Sequence, residues 1–331
     1  MGAIVLAVSA VPDTVLEIVN FLIPASIFAI MALGLNLQWG HTGLFNAGVA
    51  AFWGLGAYTT AILLLPSVPP QIFYAGHLGY NQHFAVAAIG GGVVAGIAGL
   101  LIALPLLRLR ADYFAIATLA LAETVRLVLQ KAERWTGGSV GILRIPRPFD
   151  AFVGGDRGLS DLSIGVLVVG VLILSLLLIE FITRQPWGRV LRGIREDEEA
   201  TLALGKNVYS FRLQAFVLGC VFMGIAGALY AWFVGTIAPD DFNTLATFNI
   251  YVMVMLGGSG NNLGVVLGAY LFYAFDWVSV RLDDNLPPDL SLRFPYIRLM
   301  IIGALLVALV MYRPQGILRE KKRTFPPVST R

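Results

Sequence analysis

Long apolar runs with few charges constrain the fold of this chain more than any other feature. Crossing about 30 Å of hydrocarbon takes about 20 residues of helix, and runs of this length recur along the sequence. They lie at 15–39, 42–65, 84–107, 162–183, 211–234, 262–281 and 296–312, with weaker runs at 114–131 and 243–258. Only 13% of the residues are charged, against about 25% in soluble domains. The sequence therefore predicts an all-α polytopic membrane protein of about 8–10 transmembrane helices, forming a single domain over 1–331.

The segment 184–212 is a charged island between two of these runs. Its cationic residues are Arg184, Arg189, Arg192, Arg195, Lys206 and Arg212, and among them lies the acidic run Glu196, Asp197, Glu198 and Glu199. Acidic side chains favour a helix N-terminus because they complement the positive end of the helix dipole. We expect a turn at Trp187 and Gly188, a short exposed helix over 196–204, and a helix stop at Gly205. Such a helix is suited to docking a soluble partner.

Orientation follows from basic residues, which concentrate in cytoplasmic loops. If 184–212 is cytoplasmic, the alternation of spans places Arg108, Arg110 and the basic tail 313–331 on the same side. The segment 132–161 then forms an extracytoplasmic loop, and the N-terminus is external. This outer loop carries several arginines against the general bias, so it is either a simple solvated loop or a surface for an acidic partner.

Glycine and asparagine are concentrated around the second run. Each interior glycine costs a helix about 1 kcal/mol relative to alanine, and broken backbone is tolerated at membrane depth only where it is buried or lines a cavity. We therefore predict broken or re-entrant Gly-rich segments, placed either beside a transport pathway or in a close-packed interface. The candidate pathway or central packing residues are Asn36, Asn46, Gly48, Gly54, Gly56, Tyr58, Thr118, Glu123 and Asn249.

Glu123 and Arg126 form a charged pair within the weaker run 114–131. Their i, i+3 spacing places them on one helical face, where they can form an ion pair. Charges inside a span are functional candidates by default. A structural pair near the membrane edge is the favoured interpretation, and a role in transport is the alternative.

Several function classes are disfavoured by missing motifs. The sequence contains no Gly-x-x-x-x-Gly-Lys-Ser/Thr phosphate loop, no His-Glu-x-x-His and no Gly-x-Ser-x-Gly. A single cysteine and three scattered histidines give no metal-binding pattern. The positive-inside rule already explains the basic residues, so no nucleic acid partner is implied. We expect a transport subunit that is not an enzyme and binds neither metal nor cofactor itself.

Four sequence blocks resemble a known family. They contain Gly34-Leu-Asn-Leu37 with Ala51-Phe-x-Gly-x-Gly-Ala-Tyr58, Asp112-Tyr-Phe-Ala-Ile-Ala-Thr-Leu119 with Thr136-Gly-Gly138, Gly188-Arg-x-Leu-Arg-x-Ile-Arg-Glu-Asp197, and Gly224-Ile-Ala-Gly-Ala-Leu-Tyr230. As a set these blocks are similar to the LivM-type permeases of branched-chain or hydrophobic amino acid ABC importers. The likeness spans residues 34 to about 270, which is most of the chain.

The resemblance implies a complex in the bacterial inner membrane. Its parts are this chain, a second permease of the LivH type, two cytoplasmic ATPase subunits that hold ATP and Mg²⁺, and an extracytoplasmic substrate-binding protein. Glu199-Ala200-Thr201 with Gly205 keeps the spacing of the ATPase-docking pattern of importer permeases, although the Ile-x-Leu-Pro ending is absent. The residues assigned to ATPase coupling are Arg192, Arg195, Glu196, Asp197, Glu198, Glu199, Ala200 and Gly205.

Two other functions remain open from the sequence. Within the family, permeases for urea or short-chain amides have similar sequences. Outside it, a secondary transporter or channel that works without ATP would also be apolar and polytopic. Association with separate ATPase subunits distinguishes this second class from an ABC permease.

Overall fold

A computed structural model describes residues 12–69, 76–150, 157–283, 293–313 and 315–320. Helices form nearly all of the regular structure in these ranges. They are α1 Asp13–Leu35, α2 Val49–Leu64, α3 Phe84–Leu106, α4 Ala111–Lys131, α5 Glu133–Thr136, α6 Arg157–Arg184, α7 Pro186–Glu196, α8 Glu198–Ala203, α9 Val208–Val234, α10 Thr244–Gly257, α11 Asn262–Asp283 and α12 Phe294–Tyr312. A π-helical turn occupies Asn36–Gly40, and 3₁₀ turns occupy Gly138–Val140 and Pro239–Phe242. The strands β1 Pro66–Val68 and β2 His77–Tyr80 form an antiparallel hairpin.

The long apolar helices confirm the prediction of an all-α polytopic membrane protein. Among the described residues, 5 helices are long and apolar enough to cross a membrane, and they occupy Thr14–Gly40, Phe84–Leu106, Gly158–Arg184, Val208–Val234 and Asn262–Leu282. Shorter apolar helices lie at Val49–Leu64, Thr244–Gly257 and Tyr296–Leu305. The remaining predicted run coincides with α4.

Helix α9 lies at the centre of the bundle and packs against α1, α2 and α3. Glycines bring these helices close together, since a Cβ added to Gly56 of α2 would overlap the backbone of Gly224 in α9. A Cβ added to Gly224 itself would lie 2.7 Å from the carbonyl oxygen of Gly91 in α3. Small residues at such crossings allow extensive van der Waals contact between membrane helices.

Different segments of the chain lie at the two ends of the bundle. At one end, Arg195 contacts Gly40 and Glu320. A small cavity there is lined by Arg108 and Arg110 together with Glu198 and Arg212. At the other end lie the β-hairpin and the described part of 132–161, joined by bridges such as Ile142 to Ile237. The side of the membrane on which each end lies stays a prediction. Residues 151–156 of the loop and 321–331 of the tail lie outside the described residues.

The predicted coupling helix differs from the observed one. Instead of one helix over 196–204, α7 ends at Glu196 and α8 begins at Glu198. Asp197 between them is extended, and its carboxylate accepts a hydrogen bond of 2.9 Å from the amide of Ala200. The physical reason is that Asp is a preferred N-cap, so it starts a second helix here and does not continue the first.

The turn expected at Trp187 and Gly188 is also wrong, because both residues lie in the first turn of α7. Pro186 begins that helix, as suits a residue that lacks an N–H group and has a fixed φ angle. The stop at Gly205 is confirmed, since its φ of +73° is the left-handed conformation that commonly ends a helix.

Candidate functional site

The membrane bundle contains a break between α1 and α2, which we call the central break and define as residues 36–48. It consists of the π-helical turn and a non-helical stretch before α2. The amide of Gln38 connects the break to α9 and to its own later residues. Its Nε2 donates to the carbonyl oxygen of Phe216 at 2.8 Å, and its Oε1 accepts from Asn46 Nδ2 at 2.8 Å. The Oδ1 of Asn46 in turn accepts from the amide of Gly48 at 2.9 Å.

Neighbouring helices satisfy the backbone groups that the break exposes. Thr118 Oγ1 of α4 accepts from the amide of Ala47 at 3.0 Å. From α10, the hydroxyl of Tyr251 donates to the carbonyl oxygen of Asn46 at 3.0 Å. Unpaired backbone groups are expensive in hydrocarbon, and these side chains supply the partners that make non-helical backbone tolerable there.

Most of the predicted central residues are fully packed. Asn36, Asn46 and Thr118 are each 0% exposed. A Cβ added to Gly48 would lie 2.6 Å from the carbonyl oxygen of Thr118, and one added to Gly54 would lie 3.0 Å from Phe242 Cγ. These positions therefore hold the bundle together, and their contact with a transported molecule stays a prediction.

The other predicted central residues differ in burial. Tyr58 is 2% exposed and its ring lies near that of Phe242. Gly56 forms the backbone contact with α9 described above. Asn249 is half-buried on α10, and its side chain makes no hydrogen bond with the described residues.

Glu123 and Arg126 pair as their spacing predicts. Arg126 Nη2 lies 2.5 Å from Glu123 Oε1, and Nη1 lies 2.7 Å from Asp240 Oδ1. Asp240 belongs to the 3₁₀ turn that precedes α10, so Arg126 connects α4 to that turn. The Glu123 side chain is 44% exposed, and the choice between a structural pair and a role in transport stays a prediction.

The coupling segment, defined as α7, α8 and the C-cap residue Leu204 (186–204), has a buried face and an exposed end. Leu191 and Ile194 of α7 are 0% and 2% exposed. The acidic residues 196–199 are all exposed, and Glu198 forms two hydrogen bonds of 2.8 Å to Arg212. Beside them, Leu202 and the adjoining Leu204 are 51% and 78% exposed. The exposed end of the coupling segment therefore presents acidic and apolar side chains next to each other, where a partner could bind them.

Arg195 differs from its neighbours because its side chain turns into the bundle. Its guanidinium donates to the carbonyl oxygen of Gly40 and to Glu320 Oε2, the latter at 2.7 Å. The Arg195 side chain is only 24% exposed. Arg192 is also partly buried and lies 3.9 Å from Glu320 Oε1. These two arginines therefore face the body of the protein.

A cavity of about 560 Å³ lies at this end of the bundle, beside the break. His41 Nε2 approaches Asn262 Oδ1 at 3.1 Å, and Asn262 Nδ2 donates to Glu180 Oε2 at 2.7 Å. Because the amide oxygen can only accept, the imidazole donates through Nε2. Across the described part of the chain, no three His, Cys, Asp or Glu residues are grouped to hold a metal ion.

Several residues of this site were not identified from the sequence. They are Gln38, His41, Leu202, Leu204, Asn262 and Glu320, together with Thr247, whose Oγ1 accepts a hydrogen bond of 3.1 Å from the amide of Ala50. An amide side chain within a predicted broken helix was a usable signal for Gln38. Leucines directly after an acidic run, in a segment expected to face water, were a usable signal for Leu202 and Leu204. Glu320 had no such signal, because its partner Arg195 is 125 residues away in sequence.

Known proteins resemble this chain over most of its length. The family described as branched-chain amino acid transport system / permease component matches residues 17–310. The high-affinity branched-chain amino acid transport system permease protein LivM of Escherichia coli is 33% identical over 312 residues, covering 88% of this chain and 68% of that protein. A probable LivM of Methanocaldococcus jannaschii is 28% identical over 329 residues, covering 91% of this chain and 93% of its own length.

More distant relatives include the nucleoside ABC transporter permease protein NupC of Lactococcus lactis. It is 26% identical over 281 residues, covering 80% of this chain and 83% of that protein. No solved structure matches the chain. With a membrane bundle of long apolar helices and a family match across nearly its whole length, the chain belongs to the permease components of branched-chain amino acid transport systems, as a permease subunit of an ABC importer.

Proposed function

We propose that this permease imports branched-chain or other hydrophobic amino acids in an ATP-driven complex of the bacterial inner membrane. The chain forms half of the translocation pathway, and a LivH-type permease forms the other half. Two ATPase subunits bind ATP and Mg²⁺ on the cytoplasmic side, and a binding protein delivers the substrate from outside. This chain itself hydrolyses nothing.

The observation that carries the proposal is the exposed end of the coupling segment. Leu204 is 78% exposed, yet it adjoins a charged loop and not the apolar helix surface that lipid covers. Exposed apolar side chains rimmed by polar ones mark interaction sites. Glu196 and Glu199 supply that rim, so α8 is suited to insert into a groove of a soluble partner. The absence of a phosphate loop in the sequence requires that partner to bring the ATPase.

The substrate class follows from the relatives and from the apolar bundle. The Escherichia coli and Methanocaldococcus jannaschii relatives are named for branched-chain amino acids, and an interior with few charges suits a zwitterion with an apolar side chain. The Lactococcus lactis relative is named for nucleosides, which makes nucleosides the second candidate. Urea and short-chain amides complete the set of substrates to compare.

Reconstitution of the assembled importer tests the proposal. The chain is co-purified with its candidate partner permease and ATPase subunits, placed in proteoliposomes with the binding protein, and assayed for uptake of labelled leucine. We expect uptake that requires ATP and is inhibited by excess isoleucine but not by uridine or urea. ATP-dependent uptake of labelled uridine, with none of leucine, would favour the nucleoside candidate. Uptake that persists without ATP, or ATPase subunits that never co-purify, would contradict the proposal.

A further inference from the structure

One guanidinium joins four separate segments of this chain. Arg195 of α7 donates to the carbonyl oxygen of Gly40, which ends the π-helical turn, and to Glu320 near the C-terminal end of the described residues. The same side chain lies against Gly43 of the central break and Gly260 of the α10–α11 turn. Its 24% exposure leaves little of it for a soluble partner.

Two glycines make room for this side chain. A Cβ added to Gly43 would lie 3.3 Å from Arg195 Cγ, and one added to Gly260 would lie 2.9 Å from Arg195 Nη1. Both glycines have positive φ angles, +77° and +84°, which other residues adopt only with strain. A side chain at either glycine would therefore strain the backbone and crowd Arg195.

The α10–α11 turn is tied to the break independently of Arg195. Asn36 Oδ1 accepts from the amide of Gly260 at 2.8 Å, and Asn36 Nδ2 donates to Asn262 Oδ1 at 2.9 Å. Arg195 is bonded to Gly40, and Asn36 of the same π-helical turn is bonded to Gly260 and Asn262, so α7, the π-helical turn and the α10–α11 turn form one connected polar network.

Apolar packing adds a second connection between α7 and the break. Leu191 of α7 is buried in a cluster with Leu37 of the π-helical turn and Ala215 of α9. A movement of α7 would therefore displace the π-helical turn through the contacts of both Leu191 and Arg195. Close-packed contacts of this kind have low compressibility and transmit displacement.

We propose that Arg195 is a positioning residue that transmits movement of the coupling segment to the central break, and that it is not an ATPase contact. The inference rests on the proposed function, in which ATPase subunits dock on α8 and move α7. Arg195 then acts on the inner side of the segment, while Glu199 and Leu204 act on its outer side. Loss of Arg195 should uncouple ATP hydrolysis from transport without releasing the ATPase subunits.

The test compares Arg195→Gln with Arg189→Gln in the complete reconstituted importer. Arg189 lies on the same helix, is exposed, and forms no ion pair with the described residues, so it controls for loss of charge on α7. For Arg195→Gln we expect the same ATPase subunits per permease, ATP hydrolysis close to wild type, and leucine uptake reduced by about tenfold, within the usual range of coupling between sites. For Arg189→Gln we expect wild-type values of all three.

A second variant, Glu320→Gln, keeps the test decisive if Arg195→Gln reduces the amount of complex. It should lower the ratio of leucine transported to ATP hydrolysed in the same direction. The double variant should be no worse than Arg195→Gln alone, because the two residues act through one contact. Additive effects of the two substitutions would contradict the inference.

Other outcomes overturn the inference in distinguishable ways. Release of the ATPase subunits by Arg195→Gln at normal permease levels would make Arg195 a docking residue. A wild-type transport ratio in Arg195→Gln would show that the contact transmits nothing. If the wild-type complex itself shows no ATP-dependent leucine uptake, the proposed function fails, and the inference fails with it.

Discussion

The central break and the coupling segment are both departures from simple membrane-spanning helices, but they are stabilised in opposite ways. The break is buried, and its amides are paired by Gln38, Asn46 and Thr118. The coupling segment is exposed along 196–200 and is fixed to the bundle mainly through the buried face of α7. One region is specified by internal partners, whereas the other leaves groups available for partners outside the chain.

Because of this difference, mutations in the two regions should have different effects, one on folding and the other on assembly. A change in or around the break leaves buried groups without partners or overlaps backbone, so it should damage the fold. A change at Glu199 or Leu204, at the exposed end of the coupling segment, breaks no hydrogen bond or ion pair of these side chains with the described residues, so it should damage assembly with other subunits instead. Arg195 belongs to the coupling segment but contacts the break through Gly40, and its loss should affect neither folding nor assembly.

The largest effect should follow from Gly56→Leu. The new side chain would overlap Gly224 and force α2 away from α9, so we expect loss of most of the folded protein. Gly170→Leu is the matched control, because Gly170 of α6 is exposed on the bundle surface and has nothing within 4 Å of an added Cβ. The yield of monodisperse protein in size-exclusion chromatography measures both. Equal yields would show that the contact between α2 and α9 is not close-packed.

The next effect concerns assembly alone. Glu199→Arg and Leu204→Asp each change the exposed end of the coupling segment, and we expect either to reduce co-purification of ATPase subunits by about tenfold, as substitutions of interface hot spots do. The amount of permease in the membrane should stay at the wild-type level. Lys206→Ala, at an exposed position nearby, should leave assembly unchanged. Wild-type amounts of complex in both variants would exclude α8 as the docking element.

A smaller effect on stability is expected from Asn46→Ala. The substitution leaves Gln38 Oε1 and the amide of Gly48 without their partners, and an unsatisfied buried polar group costs about 1–3 kcal/mol. Thermal unfolding in detergent should show a clear decrease in midpoint. Asn249→Ala is the control, and its midpoint should remain near the wild-type value. A pair of equal midpoints would mean that the amide network does not stabilise the break.

The smallest effect should come from Asp240→Asn, which weakens the contact with Arg126. The Asp240 side chain is 72% exposed, and exposed ion pairs contribute about 0–1 kcal/mol. We therefore expect nearly unchanged thermal stability and leucine uptake. A large loss of uptake at unchanged stability would give this charged cluster a role in transport that its geometry does not indicate.

The sequence predicts the helices and the existence of the break because both depend on local composition. Apolar runs must span the bilayer as helices, and Gly and Asn near residues 36–48 are incompatible with a continuous lipid-facing helix. The split of the coupling helix at Asp197 could also have been predicted from N-cap preference. It was missed because the acidic run favours a helix N-terminus without indicating which residue caps it.

The contacts of Arg195 could not be predicted from local pattern. Its partners Gly40 and Glu320 are 155 and 125 residues away, and a charged side chain in a charged loop is expected to face water. Only the approach of the α10–α11 turn and the C-terminal segment creates a polar site into which it can turn. Tertiary packing, not spacing, therefore decides which charges of the loop face inward.

The most direct test of the docking role is site-directed crosslinking in the assembled importer. A thiol crosslinker is attached at Leu204→Cys, which is at the exposed end of the coupling segment, and in parallel at Val140→Cys, which is 48% exposed at the opposite end of the bundle. The native Cys220 is buried, so it should not compete for the reagent. We predict that Leu204→Cys crosslinks to an ATPase subunit and that Val140→Cys does not. An ATPase crosslink from Val140→Cys, or none from Leu204→Cys in an intact complex, would contradict the assignment of α7 and α8 as the coupling segment.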